Sequence, residues 1–281
     1  MPPSPRELAT RLGVDQVGPA QAAYRTAEHV RYFARGYRWA QRMPEGVASP
    51  PARRSDEVSD LEALAAAHSV GPGIFKWQHY FDIYDRHLGR FRGQEVNLVE
   101  IGIYGGGSLG LWREYLGADA DICGVDINPD CKRFEDEGVE VAIGDQADRS
   151  FWSGFIREHP AIDIVIDDGG HLPEQQAVTL ECLLPAIRPG GVYVCEDIHG
   201  PFQPFHSFVD GLTRPLNDIA PPGSGPTPAN AMNRQIASVH RYPILTVIEK
   251  NTTSIDEFES RRYGTEWPGA LPPGRPVEPP F

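Results

Sequence analysis

The chain has 281 residues, of which 40% are hydrophobic, and this is enough for one large domain with a sizeable buried core. Its formal net charge of −13 argues against nucleic acid as a partner, because nucleic-acid binders usually carry a basic surface. The charge is uneven, since residues 1–54 carry a net +5 and the remainder −18. Residues 1–7 lack the apolar core of a signal peptide, and no apolar run reaches membrane-spanning length. We therefore predict a soluble, cytoplasmic protein with no membrane partner.

Arginines and aromatic residues interleave on a predicted helix from Pro19 to Met43. They are Arg25, Arg31, Arg35, Arg38 and Arg42, with Tyr24, Tyr32, Phe33, Tyr37 and Trp39. Such a helix packs on a core or on another subunit, or it covers an active site or contacts an acidic ligand. The pattern favours a homo-oligomer. A linker, Pro44 to Arg54, and a second helix, from the capping box at Ser59 to Ala67, complete a helical N-terminal extension over residues 1–70.

From Val96 onward the chain contains short apolar runs typical of parallel strands that are buried on both faces. These runs are Val96–Ile101, Asp121–Val125, Val139–Ile143, Ile162–Ile166 and Gly191–Cys195. Helix-length segments separate them: Ser108–Leu116, Pro129–Glu137, Asp148–Glu158 and Glu174–Ile187. The repeat predicts an α/β, Rossmann-like domain over residues 71–263.

Two further apolar runs, Ala237–Arg241 and Ile244–Glu249, predict a C-terminal antiparallel hairpin. With this hairpin the central sheet has seven strands and is mostly parallel. A Pro-rich tail follows over residues 264–281. The Pro- and Gly-containing segment from Pro201 to Pro228 is either a substrate-covering lid or a surface loop.

A glycine loop follows the first strand and leads into a helix. Its residues are Gly102, Gly105, Gly106 and Gly107, followed by Ser108. Such a loop either brings the backbone close to a ligand or forms a tight turn. Asp126 ends the second strand, where an acid commonly binds ribose hydroxyls, and Asp145 and Gln146 follow the third, near the expected adenine edge. Because Glu100 precedes the loop and the spacing does not fit GxGxxG, the pattern disfavours a dinucleotide and suits an amine-bearing ligand.

Carboxylates also end the next two strands. Asp167 and Asp168 close the fourth, and Glu196 and Asp197 close the fifth. Since strand ends of a parallel sheet line one crevice, these acids should repel each other unless protons or a cation intervene. Hard oxygen ligands favour Mg²⁺ or a similar divalent ion. His171 lies at the rim of the same crevice, where an imidazole can take a proton from a substrate hydroxyl.

These motifs carry a resemblance. The acid-then-glycines loop resembles the first motif of class I S-adenosylmethionine (SAM)-dependent methyltransferases, although the triple glycine departs from the usual ExGxGxG. The run Asp167-Asp168-Gly-Gly-His171, followed by Arg188-Pro-Gly-Gly and Glu196-Asp197, is similar to the Mg²⁺-dependent sugar O-methyltransferases of macrolide biosynthesis, the mycinamicin type, and to rhamnosyl O-methyltransferases. The match covers roughly residues 73–250.

The resemblance implies an enzyme that uses SAM and Mg²⁺ to methylate a hydroxyl of a sugar or glycoside. It implies Asp168, Glu196 and Asp197 as metal ligands and His171 as the general base. The implied cofactor contacts are Glu100, Gly102, Gly105, Gly106, Ser108, Asp126, Asp145, Gln146 and Asp167. The candidate acceptor contacts are Lys76, Trp77, His79, Tyr80 and His199, of which the aromatic ones fit a helix core equally well.

Other interpretations stay open at this point. The acceptor hydroxyl could belong to a non-sugar natural product. His171 and His199 with a carboxylate could instead hold non-haem iron for a hydroxylase on the same fold. The chain could also be a non-catalytic scaffold. The cysteines, Cys123, Cys131, Cys182 and Cys195, show no paired spacing, so the sequence indicates buried thiols in a reducing compartment rather than a zinc site.

Overall fold

The computed structural model describes residues 19–42, 59–136, 138–219, 226–260 and 263–264. The chain divides into two compact units, residues 1–57 and 58–281. The predicted linker, Pro44 to Arg54, and all but the first residue of the tail lie outside the described residues. The domain boundaries at residues 70 and 263 stay predictions.

The first unit contains the helix α1 (Pro19–Ala40), which agrees with the arginine-aromatic helix predicted from the sequence. Among its described side chains, Val30, Tyr32, Phe33 and Trp39 are exposed. The rings of Phe33 and Tyr37 stack with their centroids 6.3 Å apart. The helix therefore carries aromatic side chains on its surface, between its arginines.

The second unit alternates strands and helices. Its described helices are α2 (Asp60–Ala67), α3 (Gln78–Leu88), α4 (Gly107–Leu116), α5 (Arg149–Glu158), α6 (Pro173–Leu183), α7 (Pro204–Thr213) and α8 (Ala231–Gln235). Its strands are β1 (Val96–Ile101), β2 (Ala120–Asp126), β3 (Val139–Ile143), β4 (Ile162–Asp167), β5 (Ile187–Cys195), β6 (Thr227–Pro228), β7 (Ile236–Tyr242), β8 (Leu245–Lys250) and β9 (Glu257–Phe258). Within the described ranges, no helix combines the length and the apolar character that crossing a membrane would need.

Seven strands form one sheet in the order β3-β2-β1-β4-β5-β8-β7. Strands β1 to β5 pair in parallel, and β8 runs antiparallel to both β5 and β7. This confirms the predicted α/β sheet with its antiparallel hairpin. The strand order reverses at β1, so the carboxyl ends of β1, β2 and β4 open around one crevice.

Helices cover both faces of the sheet. On one face α2, α3 and α4 bury Leu61, Tyr84 and Trp112, and on the other α5 and α7 bury Trp152 and Phe205. Leu61 is fully buried, so α2 packs onto the second unit, against α3 and α4, although the sequence grouped it with the N-terminal extension. Of the capping box predicted at its start, the N-cap half is present, because Glu62 N donates to Ser59 Oγ at 3.1 Å, while the Glu62 carboxylate accepts from Gln78 Nε2 at 3.0 Å.

One predicted helix is shorter than expected. The segment Pro129–Glu137 was expected to be helical, but the structure has a 3₁₀ helix that covers only Pro129–Phe134. After it, Asp136 N donates to Val139 O at 3.0 Å, and the chain turns directly into β3. In the described part of this connection, a 3₁₀ helix and a turn replace the longer helix.

A polar cluster joins α3 to the hairpin. Glu249 on β8 accepts hydrogen bonds from Arg90 Nη1 at 2.7 Å, from His87 Nδ1 at 3.1 Å and from Ser238 Oγ at 3.0 Å. Burial acts to raise the pKa of Glu249, but these hydrogen bonds outweigh burial and lower it from 4.5 to about 2. The carboxylate therefore stabilises the fold while it is ionised.

We expect this contribution to disappear in acid. Because the pKa of Glu249 is lower in the folded state, the stabilisation is complete above about pH 4.5 and is lost as the pH falls towards about 2. Urea unfolding of wild type and Glu249→Gln should therefore give free energies of unfolding that converge with falling pH. Glu114→Gln, which changes an exposed carboxylate on α4, is the matched control. A difference between wild type and Glu249→Gln that stays constant down to the lowest pH would contradict this account.

Candidate functional site

The glycine loop packs against the end of β4. Gly102 has a φ of +82°, and a Cβ atom there would overlap the carbonyl oxygen of Asp168. Asp168 N in turn donates to Ile101 O at 2.9 Å. The close approach holds the backbone of β1 against the loop that carries Asp168 and His171. Glycine is thus required at position 102 by the protein itself.

The segment 71–76, which we call the strap, crosses the same loop. Gly107 N donates to Gly73 O at 3.1 Å, and a Cβ atom at Gly107 would overlap the Pro72 carbonyl. Gly106 lies under the ring of Phe134, and Gly105 faces Gly73. The predicted cofactor contacts Gly105 and Gly106 therefore also serve close packing inside the protein, and their roles towards a cofactor stay predictions.

The strap delivers Lys76 into the carboxylate cluster. Its Nζ lies 2.6 Å from Asp168 Oδ2, 3.0 Å from Glu196 Oε1 and 3.1 Å from Glu100 Oε1, and its side chain is only 3% exposed. Ser108 Oγ donates to the other oxygen of Glu100 at 2.6 Å. Lys76 lies buried among three acids as their counter-ion, and its predicted contact with an acceptor stays a prediction.

Charge and burial oppose each other in this cluster. Burial lowers the pKa of Lys76, but the surrounding carboxylates outweigh burial and raise it well above its ordinary value. Burial raises the pKa of Glu196, and Lys76 acts in the opposite direction. Burial also raises the pKa of Asp168 against the same ammonium. A single positive charge thus holds together acids that come from three different strand ends.

Aromatic side chains of α3 and its N-terminal flank orient the pair at the end of β5. Tyr80 Oη donates to Asp197 Oδ1 at 2.7 Å, and Trp77 Nε1 donates to the same oxygen at 3.0 Å. Tyr84 Oη donates to Glu196. Tyr80 is fully buried, whereas Trp77 is half exposed. Tyr80 is therefore a core residue that positions Asp197, and Trp77 is open to a ligand.

His171 stands at the rim of the crevice. Its Nε2 lies 3.8 Å from Asp197 Oδ2 and 4.0 Å from Asp168 Oδ1. The backbone of His171 is left-handed, with a φ of +55°, and so is that of Asp197 at +53°. Such conformations cost free energy and are common at functional sites. The ligand atoms of Asp168, His171 and Asp197 all lie within 4.8 Å of one another.

Asp167 points away from this group into the domain. It accepts hydrogen bonds from Tyr193 Oη at 2.8 Å and from Gln146 Nε2 at 3.0 Å, and burial raises its pKa to about 7. Gln146 Oε1 also accepts from Gly170 N at 2.6 Å. The side chain of Gln146, expected near an adenine, thus braces the loop between Asp167 and His171. Its contact with a cofactor stays a prediction, as does that of Asp167.

Of the remaining predicted residues, two lie at strand ends and one lies apart from the acids. Asp126 accepts from Tyr104 N at 3.2 Å and from Asn128 N at 2.9 Å, which fixes the carboxylate at the end of β2. Asp145 is exposed at the end of β3. His79 Nε2 contacts the carbonyl of Pro243 at 3.2 Å, away from the acids.

His199 does not belong to the group of potential metal ligands that contains His171. Its Nε2 lies 3.8 Å from Asp197 Oδ1, whereas His171 faces Oδ2. Among the described residues, the group of potential ligands around Asp197 includes Asp168 and His171 but not His199. The predicted lid segment contains helix α7, whose Phe205 is buried in the core. This part of the segment is a packed element of the fold.

Two tyrosines outside the motifs, Tyr84 and Tyr193, also anchor the acids and were not among the predicted site residues. The spacing of Tyr80 and Tyr84 places both side chains on one face of α3, so a helical pattern was available as a signal. For Tyr193 the available signal was a tyrosine within an apolar strand run, because the hydroxyl of a buried tyrosine usually finds a hydrogen-bond partner.

Comparison with known proteins places this site in context. No family model matches the chain. A rhamnosyl tetracenomycin-C 2'-O-methyltransferase of Streptomyces olivaceus is 32% identical over 219 residues, which cover 70% of this chain and 56% of that protein. Mycinamicin VI 2''-O-methyltransferase of Micromonospora griseorubida is 30% identical over 233 residues, covering 75% of this chain and 57% of that protein. The chain thus spans little more than half the length of these curated relatives.

A solved structure shows the same architecture. The methyltransferase MycE of the mycinamycin pathway, in complex with Mg and S-adenosylhomocysteine (SAH), matches with a TM-score of 0.58 and 26% identity. The match covers 69% of this chain and 55% of MycE. The chain has the class I methyltransferase fold, and it is a relative of the sugar O-methyltransferases of the mycinamicin type.

Proposed function

We propose that the chain is a SAM- and Mg²⁺-dependent O-methyltransferase that acts on a hydroxyl of a sugar or glycoside. The observation that carries the proposal is the position of His171, with Nε2 within 4.0 Å of Asp168 and Asp197 at the carboxyl-end crevice. The relatives support it, because MycE was solved with Mg, SAH and mycinamycin VI. The glycine loop at the reversal of the strand order supports a cofactor site beside His171.

The donor set suits a hard divalent cation. Asp168 and Asp197 offer carboxylate oxygens in a group no more than 4.8 Å across, and such oxygens are the ligands that Mg²⁺ prefers. The ammonium of Lys76 already sits against Asp168 and Glu196, which supports a cluster adapted to positive charge. Asp168 and Asp197, with Glu196 beside them, would hold Mg²⁺, which would supply Lewis-acid chemistry to the acceptor hydroxyl. The assignment of Glu196 as a ligand stays a prediction, because Lys76 and Tyr84 now occupy its oxygens.

His171 would accept the proton of the acceptor hydroxyl at Nε2. The acceptor oxygen then forms a bond to the methyl carbon while the sulfonium–carbon bond of SAM breaks, which leaves a methyl ether and SAH. A positioned general base contributes about 10²- to 10⁴-fold to such a step. Tyr80 and Trp77 fix the carboxylate of Asp197, whose Oδ2 lies 3.8 Å from His171 Nε2.

A sugar ring is the acceptor that the exposed surface favours. The indole of Trp77 is half exposed beside Asp197, and the ring of His199 lies 6.1 Å from it. Aromatic faces suit the apolar faces of sugar rings. The negative charge of the chain supports a small-molecule partner rather than a nucleic acid. We further propose a cytoplasmic location, since all four cysteines are free thiols, and a homo-oligomer that uses the exposed aromatic side chains of α1.

Transfer of a labelled methyl group from SAM tests the function. We expect a rhamnoside acceptor to be methylated with Mg²⁺ present and not after chelation. Transfer to a phenol alone would favour the non-sugar acceptor, and an oxygen-dependent product with iron would favour the hydroxylase. Either result would overturn the proposal.

Replacing Asp168 tests the metal site directly. We expect Asp168→Asn to lose both the Mg²⁺-dependent rate and the heat of Mg²⁺ binding, because a neutral amide is a weaker ligand than a carboxylate. Binding of SAH should persist. Asp119→Asn, in the exposed turn before β2, is the matched control. Unchanged Mg²⁺ affinity in Asp168→Asn would remove Asp168 from the metal site.

A further inference from the structure

A second group of potential metal ligands lies outside the crevice, where β2, β3 and the C-terminal end of α5 meet. Cys123 on β2 and Glu140 on β3 are partners in the parallel pairing, so both side chains project from the same face. His159, at the C-terminal end of α5, reaches the same point. The ligand atoms of these three residues all lie within 4.8 Å of one another.

The three side chains are held in different ways. The ring of His159 stacks on Phe155 with a centroid distance of 4.2 Å, and its Nε2 lies 3.7 Å from Glu140 Oε1. Cys123 is only 7% exposed, whereas the side chain of Glu140 is 57% exposed. The group therefore has a buried thiol, a stacked imidazole and a carboxylate that is open to solvent.

A cavity of about 500 Å³ opens beside this group at the start of the strands, where Asn97 and Ile162 also line it. Five acids line the same cavity: Asp121, Glu135, Asp136, Glu140 and Glu158. Lys132 pairs with Glu135 at 2.6 Å, and the net negative charge that the remaining acids leave raises the local concentration of cations. Among the described residues, no lysine or arginine forms an ion pair with Glu140. In the cluster around His87, by contrast, Arg90 forms an ion pair with Glu249.

The donor chemistry differs from that of the crevice. A thiolate, an imidazole and one carboxylate suit a borderline or soft transition metal, whereas the crevice offers mainly carboxylate oxygens. We propose that Cys123, Glu140 and His159 bind a thiophilic divalent ion such as Zn²⁺, with the remaining coordination position open to solvent. Binding replaces the S–H bond of Cys123 with a metal–sulfur bond, and the proton passes to solvent.

This site is independent of the proposed methyl transfer. Burial raises the pKa of the Cys123 thiol to about 12, so the free thiol stays protonated until an ion binds. The three residues are far apart in the sequence, so no short spacing motif marks them as a metal site. An ion here would join β2, β3 and α5.

Titration of the metal-stripped full chain with Co²⁺ tests the proposal, because a cobalt–thiolate bond gives a charge-transfer absorption in the near ultraviolet. We expect this band to saturate at one ion, to disappear when Zn²⁺ is added, and to be lost in Cys123→Ser and in His159→Gln. The band should be retained in Cys182→Ser, which removes a half-buried thiol on α6, and in Asp168→Asn, which alters the crevice.

A second readout covers variants that fold poorly. Zn²⁺ should raise the melting temperature of wild type and of Cys182→Ser, but not that of His159→Gln. Absence of the band in wild type would overturn the proposal. Its retention in His159→Gln and Cys123→Ser would do the same, since another group would then hold the metal.

Discussion

Replacing His171 with asparagine is expected to lower the rate of methyl transfer by about 10²- to 10⁴-fold, because the amide cannot accept the proton of the acceptor hydroxyl. Asparagine suits the test because it tolerates the left-handed backbone that His171 adopts at φ +55°. The measurement is single-turnover transfer from labelled SAM to a rhamnoside, in the presence of saturating Mg²⁺.

The affinity for SAH should stay nearly unchanged in this variant. His171 lies at the rim of the crevice, between Asp168 and Asp197, and the glycine loop packs separately on the backbone at Asp168. Turnover at the wild-type rate would remove His171 from the mechanism. A large loss of SAH affinity would assign the residue to cofactor binding instead.

Replacing Gly102 with alanine is expected to destabilise the fold and to abolish SAH binding. The positive φ of +82° alone costs a Cβ-bearing residue about 1–3 kcal/mol. The added methyl group would also overlap the carbonyl of Asp168, so the end of β4 would have to move. Urea unfolding and calorimetric titration with SAH measure the two effects.

Gly110 on α4 provides the matched control. A Cβ atom at Gly110 would meet no atom within 4 Å, and alanine in a helix is more favourable than glycine by up to about 1 kcal/mol. Gly110→Ala should therefore be neutral or slightly stabilising and should bind SAH normally. If Gly102→Ala unfolds and binds like Gly110→Ala, the packing described for the glycine loop is wrong.

The strands were the most predictable part of the fold. Runs such as Val96–Ile101 and Ile162–Ile166 are mostly apolar rather than alternating, which is typical of strands buried on both faces. Each is a strand at nearly those bounds. The helix expected after Pro129 was less predictable, because its length depends on where β3 pairs with β2 rather than on local propensity. Packing of α2 on α3 and α4 likewise depends on tertiary contacts, such as those of Leu61 and Leu64, that no local pattern reports.

The motif residues could be located from the sequence, but their partners could not. The strand-end pattern predicted that Asp168, Glu196 and His171 would meet, and they lie in one crevice. The ion pairs of Lys76 with Asp168 and Glu196 join residues far apart in the chain, and no local pattern reports such a contact. The same reason hides the brace that Gln146 forms between Asp167 and Gly170.

The measurement that tests the central claim most directly is calorimetric titration of SAH into the metal-stripped protein, repeated with Mg²⁺. We predict one SAH bound per chain with micromolar affinity in at least one of the two conditions. Absence of binding in both would contradict the assignment of the glycine loop, Asp126 and the crevice beside His171 to a methyltransferase site.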